Sequence, residues 1–126
     1  MRNADLFGNP VLPAEGLATV RFLGVEPVTS PTRGLMVRVV AEVAAGPDAG
    51  ARCYKPLTRD LRGIAWIEKA VAASGLTVSL APTGSYVDRA AAALVLRRAE
   101  VRTRLYHYAH ASGAVYPTLG PVFGPA

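Results

Sequence analysis

The segment that most limits the fold runs from Leu35 to Leu57, LMVRVVAEVAAGPDAGARCYKPL. Two stretches rich in β-formers flank Gly46-Pro-Asp-Ala-Gly50, a cluster of turn residues that no helix could cross. Alternation gives each stretch two faces. Val37, Val39, Ala41 and Val43 form one apolar face, assigned to the interior, so that Met36, Arg38, Val40 and Glu42 point outward. In the next stretch Arg52, Tyr54 and Pro56 oppose Cys53, Lys55 and Leu57. These two strands make a hairpin. Before them, LATVRFLGVEPV from Leu17 adds a third, in which Val20 and Phe22 oppose Thr19, Arg21 and Leu23, and Gly24 marks a bulge or bend.

After Leu57 the period changes. GIAWIEKAVAASG sets Ile64, Ile67 and Val71 along one stripe, with Gly75 at a C-terminal cap, which predicts a main helix over roughly 62–74. Ala81-Pro-Thr-Gly84 reads as a turn. Ser85 with Asp88 resembles a capping box that opens a short second helix through DRAAAALVLRRA, although ALVL also fits the start of a strand. EVRTRLYHYA and AVYPTL then form a hairpin across His110-Ala-Ser-Gly113. Residues 1–15, carrying Asn9-Pro10 and Leu12-Pro13, read as an extended arm. Residues 119–126, rich in Gly and Pro, read as a flexible tail, which leaves one domain over 16–118. Three strands, a helix and two strands is the element order of the OB fold. The expected class is therefore mainly β: a five-stranded OB-fold Greek-key barrel with its main helix between strands 3 and 4.

The charge pattern indicates what such a barrel could bind. Fourteen Lys and Arg against nine Asp and Glu give a net charge of +5. Arg dominates the cations, and its planar fork grips phosphate with two bonds and stacks on rings. A genome rich in G and C would also favour Arg codons, but codon bias does not cluster the cations. In EVRTRLYHYA, alternation puts Arg102, Arg104, Tyr106 and Tyr108 on one side and Val101, Thr103, Leu105 and His107 on the other. With Arg21, Arg38, Arg52, Tyr54 and Lys55, these residues are the candidate nucleic-acid contacts. Guanidiniums follow backbone phosphates while exposed bases stack on phenol rings. Ordinary sheet surfaces also carry Arg–Tyr pairs that only stabilise the sheet.

Strand one, GLMVRVVAEVAAGPDAGARCYKPLT, the helix ending AVAASGL and the closing VRTRLYHYAHASGAVYP together resemble a bacteriophage single-stranded-DNA-binding OB-fold family over about residues 17 to 118. The resemblance lies in turns and spacing: a turn of the form G-x-x-x-G, a basic strand, a helix ending near GL and a final hairpin. It implies non-catalytic binding of single-stranded DNA in phage replication or recombination, with other proteins of those processes as partners. The ending VFGPA departs from the acidic tail of familiar bacterial single-strand-binding proteins, so tail-mediated recruitment of enzymes is not expected.

Enzymatic readings have little support. A single cysteine, no C-x-x-C and no H-E-x-x-H argue against a zinc site, and no nucleophile elbow, G-x-G-x-x-G or Walker loop occurs. No cofactor is expected. His107 reads as a core or rim histidine, and Trp66 as packing at one end of the barrel. No apolar run reaches about 18 residues, and MRNADLFGNPVLPAEG has no export pattern, so a cytoplasmic location is expected, that of the host if phage-encoded. Strand edges and the apolar tail predict a homo-oligomer. The alternative function is a virion or secretion assembly module whose Arg/Tyr face contacts protein.

Overall fold

A computed structural model of the chain describes residues 12–78 and 85–126. Residues 1–11 of the arm and the turn expected at 81–84 lie outside them. The order is β1 (Gly16–Ser30), β2 (Gly34–Val43), β3 (Arg52–Leu57), α1 (Leu61–Ser74), α2 (Tyr86–Leu96), β4 (Glu100–Ala109) and β5 (Val115–Pro125). The protein is mainly β, and its five strands close in a ring in the order β1-β2-β3-β5-β4, with β4 returning to β1. All neighbours are antiparallel except β3 and β5, which meet in parallel at Tyr54 and Thr118.

The alternation read in β2 and β4 matches the observed faces. Val37, Val39, Ala41 and Val43 are buried, as are Val101, Thr103 and Leu105. Phe22, Cys53, Leu94 and Leu119 join them in one core. Met36 departs from its outward assignment: it is buried, and with Lys55, Leu57 and Trp66 it lines a cavity between β2, β3 and α1. The irregularity expected at Gly24 is a register shift between Phe22 and Gly24.

Asp60 caps α1 by accepting the Arg62 N–H, and Gly75 ends the helix with φ 75°. The second helix forms, but the capping box at its start does not. Ser85 makes no side-chain cap bond, and Asp88 accepts from the Arg59 guanidinium at 2.8 and 3.2 Å. A charged fork outcompetes a backbone N–H for that carboxylate. The helices pack on each other, α1 lies against β5 and α2 against β1. Among the described residues no helix is long and apolar enough to cross a membrane.

The larger correction concerns the C-terminus. Residues 119–125 are not an irregular tail; they continue β5 and pair with β4 as far as Val101↔Pro125. Two register shifts make this possible. Between Thr103 and Leu105 the facing strand inserts Gly120 and Pro121 opposite Arg104 alone, and a second shift lies between Arg102 and Thr103. Gly and Pro are the residues that bulges accommodate. The Thr103 hydroxyl lies 3.0 Å from the carbonyl oxygens of both Gly120 and Pro121, and because the Trp66 indole N–H also donates to Gly120 at 2.9 Å, the one hydroxyl proton can serve Pro121.

Candidate functional site

Each side chain of the outer face is positioned by the strand that carries it. In β4 the inner residues Val101, Thr103 and Leu105 are buried, which forces Arg102, Arg104 and Tyr106 outward. Tyr106 and Tyr108 are 44 % and 57 % exposed. β5 adds a ring that the sequence reading did not place on the face. Tyr116 stands directly opposite Tyr108, is 41 % exposed, and packs edge-on against His110 with centroids 6.3 Å apart. The alternation of AVYPTL could have identified it, since Pro117 and Leu119 are buried on the other side. Gly113, with φ 90°, closes the turn between these strands; its N–H donates to the His110 carbonyl at 2.9 Å.

Thr118 joins the β4 ring to β3. It pairs with Tyr106 on one side and Tyr54 on the other. The two tyrosines therefore stand two strand spacings apart, roughly 9–10 Å, in one row across the wall. Arg52 lies on the same side of β3 and is exposed. Beyond Tyr54, a shallow groove of about 440 Å³ runs to the β1 bulge, lined by Arg52, Val40 and Gly24. Tyr106 sits against the wall because position 120 lacks a side chain: a Cβ at Gly120 would stand 2.4 Å from the Tyr106 ring.

Not every expected cation is available to a ligand. Arg21 donates to Glu100 at 2.8 and 3.0 Å and to Glu42 at 3.0 Å. The hydrogen bond to Glu100, followed by that to Glu42, raises its pKa. Arg38 donates twice to Glu26, at 2.7 and 3.0 Å, and its guanidinium lies 5.1 Å over the Tyr54 ring. These two arginines tie neighbouring strands together, as the sheet-stabilising reading anticipates. Their carboxylates are absorbed as well. Glu100, the acid nearest Arg102 and Arg104 in sequence, is held by Arg21, and those two cations have no ion pair among the described residues.

Lys55 does not belong to this face. It lies on the opposite side of β3 from Tyr54, toward α1, with its ammonium 5.9 Å over the Trp66 ring; burial pushes its pKa down. Trp66 packs, as expected of it: its indole N–H donates to the Gly120 carbonyl at 2.9 Å and its ring meets Phe22 edge-on. His107 is at the rim, where Nε2 lies 2.7 Å from the Pro13 carbonyl. Its backbone N–H donates to Glu15, so residues 13–15 are fastened to β4. Cys53 is fully buried, and burial, followed by the charge of Glu42, pushes its thiol up to about 12.

The outer face thus contains Arg52, Arg102 and Arg104 as cations without carboxylate partners among the described residues, with Tyr54, Tyr106, Tyr108 and Tyr116 as rings. No protein-family model matches the chain, and no curated protein matches it significantly.

Proposed function

We propose that the protein is an OB-fold barrel that binds single-stranded DNA on the outer wall of β3, β5 and β4, without catalysis, in phage DNA replication or recombination. The ring order with a helical segment between β3 and β4 supports the fold assignment. The observation that carries the function is the row Arg102, Arg104, Tyr106 and Tyr108 beside Tyr116, cations followed by exposed rings on one rigid wall. Arg102, Arg104 and Arg52 would hold the strand by its phosphates. Unstacked bases would lie on Tyr106, Tyr108 and Tyr116, at roughly 1–3 kcal/mol each. Single strands are favoured over duplex because only unpaired bases offer their faces to a ring.

The partners in this reading are single-stranded DNA, a second copy of the chain, and replication or recombination proteins in the host cytoplasm. Beyond Leu23, β1 pairs among the described residues with β2 alone, and that edge is where self-association would begin. The test is fluorescence polarisation with labelled single- and double-stranded oligonucleotides across a salt series. Single-strand affinity is expected to fall with a log–log slope of about −0.7 per neutralised phosphate. Absence of salt-dependent oligonucleotide binding would reject this reading in favour of a face that contacts protein.

A further inference from the structure

At the end of the ring covered by α1 lies a second concentration of positive charge. Two cavities, of about 220 and about 560 Å³, share Arg33, Thr58 and Arg62 in their walls. The smaller is also lined by Lys55 and Trp66. Arg33 comes from the turn between β1 and β2, Lys55 from β3 and Arg62 from the first turn of α1. The fold thus brings three cations from three elements to one opening.

The carboxylates nearby are already engaged. Asp60 accepts from the Thr58 hydroxyl and from the Arg62 N–H, and the Thr58 bond leads the contacts that lower its pKa. Asp88 is held by Arg59. Among the described residues, Arg33, Lys55 and Arg62 have no carboxylate within ion-pair distance. Lys55 is the informative member. A partly dehydrated ammonium is unfavourable unless an opposite charge offsets the lost water, and a ring at 5.9 Å supplies only part of that. Among the described residues no acceptor takes its N–H donors, which are left for an anion.

The geometry points to a binding site for a phosphate monoester at the mouth of this cavity, gripped by Lys55, Arg33 and Arg62. Three cations facing the single, already bonded carboxylate of Asp60 match a dianion better than the single charge of a phosphodiester, and Arg forks suit phosphate oxygens. The smaller cavity has the volume of several waters, enough for a phosphate group. The larger lobe, walled by the exposed Leu35, has room for an attached nucleoside. The phosphate could come from the 5′ end of a DNA strand or from a free nucleotide. The site is on the opposite side of β3 from Tyr54 and does not rest on strand binding by the outer face.

The single tryptophan of the chain reports on the site, because an anion that draws the Lys55 ammonium away changes the field on the Trp66 ring. Thymidine 5′-monophosphate, inorganic phosphate, thymidine and sodium chloride are titrated at matched ionic strength while Trp66 emission is followed. Thymidine monophosphate is expected to give a saturable change that thymidine and chloride do not give. A similar response to inorganic phosphate assigns recognition to the phosphate alone, and a much weaker one places the nucleoside in the larger lobe. Comparing 5′-phosphorylated with 5′-hydroxyl tetranucleotides tests the strand end as the source. Lys55→Met retains the apolar stem and should weaken binding by about tenfold or more; Arg62→Gln, at the start of the helix, should weaken it several-fold. Tyr106→Ala should leave the thymidine monophosphate response unchanged while reducing strand binding, which separates the two sites. A non-saturating drift that chloride reproduces, or parental binding by both Lys55→Met and Arg62→Gln, would overturn the proposal.

Discussion

A methyl group at Gly120 would test how the Tyr106 ring is seated. It would stand 2.4 Å from Tyr106 Cε2, 2.9 Å from Cδ2 and 2.8 Å from the Arg104 carbonyl oxygen. Comfortable carbon–carbon contact begins near 3.5 Å, so the first overlap exceeds about 1 Å. The ring can swing into solvent, but the Arg104 carbonyl belongs to β4 and moves only with the sheet. Gly120→Ala should therefore cost about 1–3 kcal/mol, the usual penalty of overpacking. In a Tyr106→Ala background the ring overlap is gone and only the carbonyl contact remains, so the cost should shrink by about 1 kcal/mol. Urea unfolding of the four proteins measures this coupling. Strand binding supplies an independent readout. Gly120→Ala should lose affinity as Tyr106→Ala does, by about 1–3 kcal/mol, and the double variant should bind no worse than either. Equal unfolding costs in both backgrounds, with full binding by Gly120→Ala, would refute the seating of the ring.

The arginines divide into two sets that behave differently. Arg104→Ala should flatten the salt slope of single-strand binding by about 0.7, whereas Arg21→Ala, whose charge is committed to Glu42 and Glu100, should leave it nearly unchanged. Equal slopes for the two variants would contradict this division. Cys53 should resist thiol reagents at about pH 8 in the native protein and react at once in denaturant, as a buried neutral thiol does. Its titration also sets a pH dependence. Below about pH 9 the thiol is protonated in both states; between 9.0 and about 12 only the unfolded chain loses the proton, so stability should fall as pH rises. Denaturant midpoints of the parent and Cys53→Ala across that range check it, since the variant should lose part of the decline.

What could be read from the sequence followed from periodicity, because a strand with one buried face has little freedom of register. In β4 the inward Val101, Thr103 and Leu105 alternate with the outward Arg102, Arg104 and Tyr106, and the structure keeps that order. What could not be read depended on distant residues. Arg21 and Glu100 are 79 positions apart, and no local pattern shows that their pairing removes one cation from the face. The place of Lys55 is hidden for a related reason: its alternation is legible, but the α1 end of the ring toward which it turns depends on how Trp66 packs. β5 beyond Leu119 was hidden by composition. Gly120-Pro121 and Gly124-Pro125 look like a frayed tail until Thr103 is seen 3.0 Å from the bulge carbonyls.

The most direct test of the proposed face is a residue-by-residue map of strand contact. Isotope-labelled protein is titrated with a short unlabelled deoxythymidine oligonucleotide, and amide chemical shifts are followed to saturation. The largest shifts are expected at Arg104–Tyr108 in β4, at Tyr116 and Thr118 in β5 and at Arg52 and Tyr54 in β3, with the solvent faces of α1 and α2 unaffected. Saturable binding whose shifts fall on the helices and spare Tyr106, Tyr108 and Tyr116 would contradict the proposed face.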